Sequence, residues 1–261
     1  MKICCIQMNM TLGCPDENFS HAAELIEQAA KGSPDVILLP ETWNTGFYPQ
    51  QGLKDMAQGA AERAKAEIGS LAKRHNVNII AGSVSDMQDG NVYNTSLVFD
   101  RTGHCIASYS KTHLFSPMGE NRHYSPGNSL CTFELDGIKA GLIICYDIRF
   151  PELIRSLALK GMDILFAVSQ WPDVRIPHLH TLAAARAIEN QTYVACCNSC
   201  GKAGQTQYGG RSVIINPLGE TIAAAGANEE MLTGEADFSI LPNIRSAIPV
   251  FCDRRQDMYE I

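Results

Sequence analysis

The chain has few charged residues, few aromatic residues and no long apolar run. Charged residues make up 19% and aromatic residues 7% of its 261 residues, whereas hydrophobic residues make up 45%. No run approaches the roughly 20 apolar residues that a membrane-spanning helix needs. The formal net charge of -7 disfavours nucleic acid or an anionic membrane as the main partner. This composition is typical of a compact folded protein with a sizeable core.

Export signals are also missing. The N-terminal segment, residues 1–8, lacks the length and the cleavage site of a signal peptide. The chain has 10 cysteines, and Cys4, Cys5, Cys196 and Cys197 lie in apolar, strand-like runs. In such runs a free thiol behaves as a small hydrophobic group. We therefore expect a reduced, cytoplasmic protein.

Several signatures of other site classes are absent. Cys197 and Cys200 form one CxxC pair, with no second pair at zinc-ligand spacing beside it. His178 and His180 stand two residues apart, which places them on different faces of a helix. No glycine-containing segment matches a phosphate-binding loop, and no G-x-S-x-G motif of a serine hydrolase occurs. We therefore expect neither a metal nor another cofactor.

Strand and helix patterns alternate along the chain and predict a mixed α/β fold. The predicted strands are 2–7, 35–39, 77–83, 93–100, 105–110, 163–169 and 192–198. The predicted helices are 18–31, 60–76 and 178–190, and a strand, a turn and a helix follow across 139–160. Turn signals predict hairpins around 201–204, 217–219 and 225–228. No linker indicates a boundary, so we expect one domain over residues 1–261. Its tail, about residues 244–261, is expected to pack on a neighbouring subunit.

Three polar residues follow strands in surroundings that give little reason for charge. Glu41 follows an apolar run at 36–40, Lys111 follows the strand that ends at Ser110, and Cys145 follows an apolar run at 140–144. A buried glutamate can take the proton from an attacking thiol. A fixed ammonium group stabilises the oxyanion of the tetrahedral intermediate. The three side chains together predict acyl transfer at an amide or nitrile carbon.

Cys145 stands between a buried strand and the predicted first turn of a helix. The free N–H groups and positive end of that helix are expected to favour a thiolate. Taken alone, Cys145 also fits a buried structural thiol, Glu41 a loop carboxylate and Lys111 a solvated strand end. The assembled set of roles favours catalysis over these interpretations.

Three segments resemble, in order, the signature blocks of the carbon–nitrogen hydrolase (nitrilase) superfamily. They are Pro40-Glu41, Ser110-Lys111-Thr112-His113-Leu114 and Gly141-Leu142-Ile143-Ile144-Cys145-Tyr146-Asp147. Each block alone is a weak signal, but the three together are specific, and the resemblance extends from Lys2 to Tyr259. It implies an α/β fold, a four-layer α-β-β-α sandwich of two mixed sheets flanked by helices. It also implies a Glu–Lys–Cys triad without a metal, and homodimers packed into an eight-layer assembly.

The resemblance also implies a role for each matching residue. Glu41 is the general base and acid, Lys111 stabilises the oxyanion and Cys145 is the nucleophile. The backbone N–H of Tyr146 is the second oxyanion donor. Members often carry a second glutamate after the lysine block, and Glu120 is the candidate here for orienting the substrate and Lys111. The alternative for Glu120 is an ordinary loop charge.

The residues after Cys145 discriminate between branches of the superfamily. Nitrile-cleaving members usually have Trp-Glu there, whereas Tyr146-Asp147 resembles the amidase branches. Segments 170–172, 185–191 and 248–251 are similar to bacterial ω-amidases linked to methionine salvage, which implies substrates such as 2-oxoglutaramate and 2-oxosuccinamate. A deaminated-glutathione amidase and an N-carbamoyl amino acid amidohydrolase remain alternatives. A third alternative is a catalytically silent binding protein with the same fold.

The α-keto acid end of such a substrate needs an anchor. Arg149 or Arg122 is expected to bind it with two hydrogen bonds, unless Arg149 only structures its own turn. Phe47 and Trp171 are expected to line the pocket, although both types are more often core residues, and Tyr48 to donate a hydrogen bond. We therefore expect a thiol-dependent amidohydrolase that releases a dicarboxylate and ammonia through a thioester.

Overall fold

Strands and helices alternate along the chain in a computed structural model that describes residues 1–47, 49 and 51–259. The strands are β1 (Lys2–Gln7), β2 (Val36–Leu38), β3 (Asn78–Ile80), β4 (Val84–Gln88), β5 (Asn91–Phe99), β6 (Cys105–Ser110), β7 (Thr132–Leu135), β8 (Ile138–Ile144), β9 (Ile164–Ser169), β10 (Tyr193–Asn198), β11 (Cys200–Ala203), β12 (Thr206–Gly209), β13 (Val213–Ile215), β14 (Thr221–Ala224) and β15 (Glu230–Glu235). The α-helices are α1 (Pro15–Ala30), α2 (Leu53–Ala57), α3 (Ala60–His75), α4 (Pro151–Ala158), α5 (Ile176–Asn190) and α6 (Leu241–Ala247). Single 3-10 turns include Ser116–Met118, Glu120–Arg122, Cys145–Arg149 and Asp173–Arg175.

Two mixed sheets form the centre of the molecule. Within the described residues, one sheet has the order β15-β1-β2-β3-β5-β4, with β6 also paired to β5. The other sheet has the order β14-β13-β10-β9-β8-β7. β1, β2 and β3 run parallel to one another, and so do β8, β9 and β10. Helices connect these parallel strands, because a parallel pair needs a long crossover.

The sheets pack face to face with helices on their outer sides. Successive residues of a strand point to opposite faces. In β1, Ile3 and Cys5 belong to an apolar core shared with β8, β9 and β10, whereas Cys4 and Ile6 pack with residues of α1 and α3. Apolar residues of α4 and α5 join the shared core. This arrangement is an α-β-β-α sandwich, which confirms the predicted fold class.

Element bounds agree with the sequence where the apolar pattern is strong. β1 and β6 have the predicted bounds, and α3 ends one residue earlier than predicted. α1 begins at Pro15 rather than residue 18, because a proline at the first position and the acidic Asp16 and Glu17 favour a helix start there. The short elements α2, β4 and β7 are absent from the prediction.

One of the three predicted hairpins is wrong. The chain turns between β11 and β12 and between β13 and β14, as expected. Around residues 225–228, however, it crosses from one sheet to the other. β15 pairs antiparallel with β1, from Lys2 opposite Glu235 to Gln7 opposite Glu230. A turn signal between two strands does not specify their partners, and β1 provides an unpaired edge for β15.

The start of the C-terminal tail contacts its own chain. An Arg245 guanidinium nitrogen lies 2.8 Å from a carboxylate oxygen of Asp163, and the Gln191 side-chain amide donates to the Ile248 carbonyl at 2.8 Å. The Arg155 guanidinium lies 5.3 Å from the centre of the Phe251 ring. The placement of the tail at a subunit interface stays a prediction.

All 10 cysteines are free thiols. Cys197 and Cys200 point their sulfur atoms at backbone carbonyls, those of Ile6 and Gln7 among others. Among the residues that the structure describes, no group of three or more His, Cys, Asp or Glu side chains is placed to hold a metal ion. No helix in this part of the chain is long and apolar enough to cross a membrane.

Candidate active site

The structure brings the three strand-end residues together. Glu41 follows β2 by a few residues, Lys111 follows β6 directly and Cys145 follows β8 directly. Glu41 and Lys111 are 0% exposed and Cys145 is 8% exposed. β2 and β6 belong to one sheet and β8 to the other, so the site forms where the ends of both sheets meet. These are the positions that the sequence singled out.

Lys111 is the central charge of the site. Its Nζ donates to Glu41 Oε1 at 2.8 Å and to the two carboxylate oxygens of Glu120 at 3.0 and 2.9 Å. Glu120 is 0% exposed, and its carboxylate also accepts from the backbone N–H of Phe115. The interpretation of Glu120 as an ordinary loop charge is therefore wrong, because an exposed loop charge would not hold a buried ammonium.

Two further residues fix the Glu41 carboxylate. The Asn94 side-chain amide donates to Glu41 Oε1 at 2.8 Å and to Glu120 Oε1 at 3.2 Å. The backbone N–H of Gln170 donates to Glu41 Oε2 at 2.9 Å. Neither residue was predicted to belong to the site. Gln170 directly follows β9, the same signal that identified the other three, whereas Asn94 lies inside β5 and resembles any polar strand residue.

The electrostatics of this cluster keep Lys111 charged. Burial by itself lowers the pKa of Lys111, but the negative charges of Glu41 and Glu120 outweigh it and raise that pKa well above its usual value. Burial raises the pKa of Glu120, a change that the charge of Lys111 opposes and that of Glu41 reinforces. An ammonium therefore stands in a site shielded from water, where it stabilises a nearby negative charge more strongly than it does in water.

Cys145 occupies an unusual backbone conformation. Its φ of +48° lies in the left-handed region, which costs a residue with a side chain roughly 1–2 kcal/mol. The residue ends β8 and opens the 3-10 turn Cys145–Arg149, and α4 begins only at Pro151. The chain therefore turns sharply at Cys145, directly after the strand ends. Strain of this kind is common at functional residues.

The expectation of a thiolate in the free protein is wrong. Burial raises the pKa of Cys145 well above its usual value, and the negative charge of Glu41 raises it further, although the charge of Lys111 and a backbone N–H of Gln170 lower it. The turn after Cys145 is a short 3-10 helix rather than an α-helix, so no α-helical N-terminus offsets the cost of burial. The resting group is a thiol that needs a base.

Asp147 links the 3-10 turn that begins at Cys145 to the segment that contains Lys111. Its carboxylate accepts from the Tyr109 hydroxyl at 2.8 Å, the Thr112 hydroxyl at 3.1 Å and the backbone N–H groups of His113 and Ile144 at 3.0 Å. The carboxylate is fully buried. Asp147 thus connects the segment after β6 with the start of the Cys145 turn.

A narrow pocket opens onto Cys145. The empty space between its walls is about 340 Å³, part of which is open to solvent. Its lining includes the predicted residues Phe47, Tyr146, Arg149 and Trp171 together with Cys145. It also includes five residues that were not predicted to line it, namely Phe115, Met118, Gln170, Pro172 and Arg175.

Aromatic rings set the walls of this pocket. Trp171 is 3% and Phe47 is 8% exposed, so each is both buried and part of the lining. The Arg149 guanidinium lies 4.9 Å from the centre of the Trp171 ring, and Lys111 Nζ lies 5.8 Å from that of Phe47. Arg149 forms no pair with a carboxylate among the described residues, so the interpretation that it only structures its turn gains no support.

Of the other two predicted pocket residues, the structure describes only Arg122. Arg122 ends the 3-10 turn Glu120–Arg122, is exposed and does not line the pocket. Tyr48 lies outside the described residues, so its expected hydrogen bond stays a prediction. Of the two arginines proposed as anchors, Arg149 alone faces the pocket.

Comparisons with known proteins agree with this geometry. Residues 2–245 match the family model described as carbon-nitrogen hydrolase. The chain is 41% identical over 257 residues to the 2-oxoglutaramate amidase of Bacillus subtilis, covering 98% of each chain. It is 31% identical to the omega-amidase of Homo sapiens, covering 100% of this chain and 97% of that one. The crystal structure of Nit3 from Saccharomyces cerevisiae, a member of branch 10 of the nitrilase superfamily, superposes with a TM-score of 0.90 at 29% identity, covering 98% of this chain and 96% of the other.

Proposed function

The chain belongs to the carbon–nitrogen hydrolase family, and we propose that it is an ω-amidase of small α-keto acids. Its substrates are amides such as 2-oxoglutaramate and 2-oxosuccinamate, and its products are the dicarboxylate and ammonia. The observation that carries the proposal is the cluster of buried Glu41, Lys111 and Cys145 beside a pocket that Cys145 and Arg149 line. Its similarity to the B. subtilis 2-oxoglutaramate amidase supports the choice of substrate.

The first half of the reaction forms a thioester. Glu41 takes the thiol proton of Cys145 as the sulfur attacks the amide carbon, which is why the raised thiol pKa requires a base at this position. The resulting oxyanion lies against the Lys111 ammonium and the backbone N–H of Tyr146. Glu41 then passes the proton to the amide nitrogen, the carbon–nitrogen bond breaks, and ammonia leaves.

The second half hydrolyses the thioester. Glu41, ionised again, takes a proton from a water molecule that attacks the thioester carbon. A second oxyanion forms against Lys111 and collapses with cleavage of the carbon–sulfur bond. The departing sulfur recovers its proton from Glu41, which returns the site to its starting state.

Glu120 and Arg149 position the reacting groups. Glu120 holds Lys111 through both of its carboxylate oxygens while Lys111 also donates to Glu41, so the ammonium is fixed between the two carboxylates. Arg149 lies on the pocket wall over Trp171 and offers a guanidinium to the carboxylate at the far end of the substrate. Phe47 contributes an apolar side chain to the pocket lining, and Lys111 Nζ lies 5.8 Å from the centre of its ring.

We also propose that the protein is a cytoplasmic homodimer with residues 244–261 at its interface. The 10 free thiols fit a reducing compartment. Light scattering of the full chain measures the subunit number, and a monomer at working concentrations would reject the dimer.

Ammonia release from four amides tests the function. We expect turnover of 2-oxoglutaramate in preference to deaminated glutathione, an N-carbamoyl amino acid and a neutral aliphatic amide. Cys145→Ala should abolish turnover while the protein remains folded, and Cys252→Ala, which removes an exposed thiol, should leave it unchanged.

Three outcomes would count against the proposal. Turnover of another amide without turnover of 2-oxoglutaramate rejects the ω-amidase assignment. Full activity in Cys145→Ala rejects the mechanism. Inactivity of the folded protein on all four amides favours the silent binding protein.

A further inference from the structure

We propose that Arg175 is a specificity-determining residue that binds the substrate carboxylate together with Arg149. This inference rests on the proposed function, because it concerns the far end of the same substrate. Arg149 follows Cys145 by four residues in one 3-10 turn, whereas Arg175 ends the separate turn Asp173–Arg175 after β9. Both side chains line the pocket that contains Cys145, so two distant chain segments each bring a guanidinium to it.

In the part of the chain that the structure describes, the two guanidinium groups have no negative partner. Arg101, Arg186 and Arg245 each lie within 2.8 Å of a carboxylate oxygen. Among the described residues, no carboxylate lies within 4.0 Å of Arg149 or Arg175, and none lines the pocket. This contrasts with a chain whose formal net charge is -7. Two like charges in one narrow pocket repel each other, and an anion bound between them relieves that repulsion.

Aromatic rings hold both groups in place. The Arg149 guanidinium lies 4.9 Å from the Trp171 ring centre, and its Nη2 lies 3.3 Å from Nδ1 of His178. The Arg175 guanidinium lies 5.3 Å from the Phe115 ring centre. The Trp171 indole N–H donates to the Arg175 carbonyl at 2.8 Å, so one side chain supports Arg149 and fixes the backbone of Arg175. A guanidinium stacked on a ring keeps its edge free for hydrogen bonds to an anion.

The number of donors fits an α-keto acid. The keto acid end presents two carboxylate oxygens and one keto oxygen close together. A single bidentate arginine satisfies two of these three acceptors, and a second arginine supplies donors for the third and for the remaining lone pairs. A neutral aliphatic amide has none of these oxygens. Arg175 therefore favours carboxylate-bearing amides and leaves the chemistry at Cys145 unaltered.

Kinetics of Arg175→Gln test this role. We expect the KM for 2-oxoglutaramate to rise about 10- to 100-fold with kcat changed less than about threefold, because the contact is made equally in the ground state and the transition state. The kcat/KM for pentanamide, which has the same chain length and no carboxylate, should not fall. Arg175→Lys should restore part of the affinity, and Arg74→Gln, a surface arginine paired with Glu27, serves as the unchanged control.

A binding measurement separates affinity from catalysis. Calorimetric titration of 2-oxoglutarate into Cys145→Ala and into Cys145→Ala/Arg175→Gln should show at least tenfold weaker binding in the double variant. Equal binding overturns the inference. So does an unchanged KM in Arg175→Gln, or a rise in KM in Arg122→Gln instead.

The outcome for Arg175 is distinguishable from the outcome for the function. If the unsubstituted protein hydrolyses a different carboxylate-bearing amide, the ω-amidase assignment fails and the same KM comparison is made on that amide. If it prefers pentanamide over every carboxylate-bearing amide, both proposals fail. If the protein hydrolyses 2-oxoglutaramate and the Arg175→Gln variant has an unchanged KM for it, only the inference about Arg175 fails.

Discussion

Cys145 is almost completely buried and has a backbone φ of +48°. Burial and the charge of Glu41 keep its thiol protonated, and Lys111 only partly opposes them. The reactivity of the sulfur therefore depends on Glu41 in two opposite ways. The Glu41 carboxylate disfavours the free thiolate by its charge, and it removes the thiol proton when a substrate is present.

Glu41→Gln should separate these two effects. Without the negative charge, one cause of the raised pKa disappears, so we expect Cys145 to become a thiolate at a lower pH than in the unsubstituted protein. Amidase activity should nevertheless fall by about 10²- to 10⁴-fold, because the base is lost. Alkylation of Cys145 by iodoacetamide across pH 7 to 11, followed by peptide mass spectrometry, measures the shift.

Exposed Cys252 provides the internal control, since its labelling profile should be the same in both proteins. A labelling profile for Cys145 that stays in place or moves to higher pH would contradict the assignment of Glu41 as the neighbouring charge.

Individual site residues could be predicted from the sequence where a polar side chain stands in an otherwise apolar pattern. Glu41, Lys111 and Cys145 each break an apolar pattern at a strand end, so the sequence identifies them. Asn94 lies within β5 and Arg175 ends the short 3-10 turn after β9, where such residues are ordinary. Only packing in three dimensions shows that they face the site.

At the scale of elements, Asp147 joins two turns that carry the chemistry. It accepts hydrogen bonds from the segment after β6 and from the end of β8, which belong to different sheets. The relative position of the Lys111 and Cys145 side chains thus depends on one buried carboxylate. The sequence showed Asp147 only as a neighbour of the nucleophile.

Asp147→Asn tests this connection. The amide presents an NH₂ group to buried donors, so we expect a loss of about 2–4 kcal/mol in the free energy of unfolding. We also expect kcat to fall about 100-fold with little change in KM, because a small misplacement of reacting groups is costly. Urea unfolding and steady-state kinetics on the same samples provide both values.

Glu152→Gln, a substitution at an exposed carboxylate in the first turn of α4, is the matched control and should change neither value appreciably. A loss of stability with an unchanged kcat would reduce Asp147 to a structural residue.

At the scale of the whole molecule, buried thiols pack between and around the sheets. Burial raises the pKa of Cys4 to about 11, and those of Cys131 and Cys196 to about 12, from an ordinary value of 9.0. In the unfolded chain these thiols ionise near pH 9, whereas in the folded protein they stay protonated. Their contribution to stability is complete below pH 9 and is lost as the pH rises toward 11–12.

The protein should therefore lose stability in mild alkali. Between pH 9 and pH 10, each of these three thiols lowers the free energy of unfolding by about 1 kcal/mol, or roughly 3 kcal/mol together. Thermal unfolding with a reductant present, followed by circular dichroism from pH 7.5 to 10, should show a falling Tm. Cys131→Ala should remove about 1 kcal/mol of this dependence, and Cys252→Ala none. A Tm that is constant or rises above pH 9 would be inconsistent with buried, protonated thiols.

The fold class could be predicted from the sequence, whereas the pairing of the strands could be predicted less well. Alternating strand and helix patterns indicate mixed sheets covered by helices, and the three sequence blocks specify the sandwich. The pairing of β15 with β1 was missed, because the pattern of a strand shows which face it buries and does not identify its neighbour.

That pairing has a consequence for how the chain reaches its structure during synthesis. β1 precedes the other strands of its sheet in the chain, but one of its edges is completed only by Glu230–Glu235. A ribosome adds about 5–20 residues per second, so roughly 10–50 seconds separate the two strands. Throughout that interval the N-terminal strand has an open edge of the kind that pairs with other chains. The edge of β1 is thus open to wrong pairing until β15 emerges and completes the sheet.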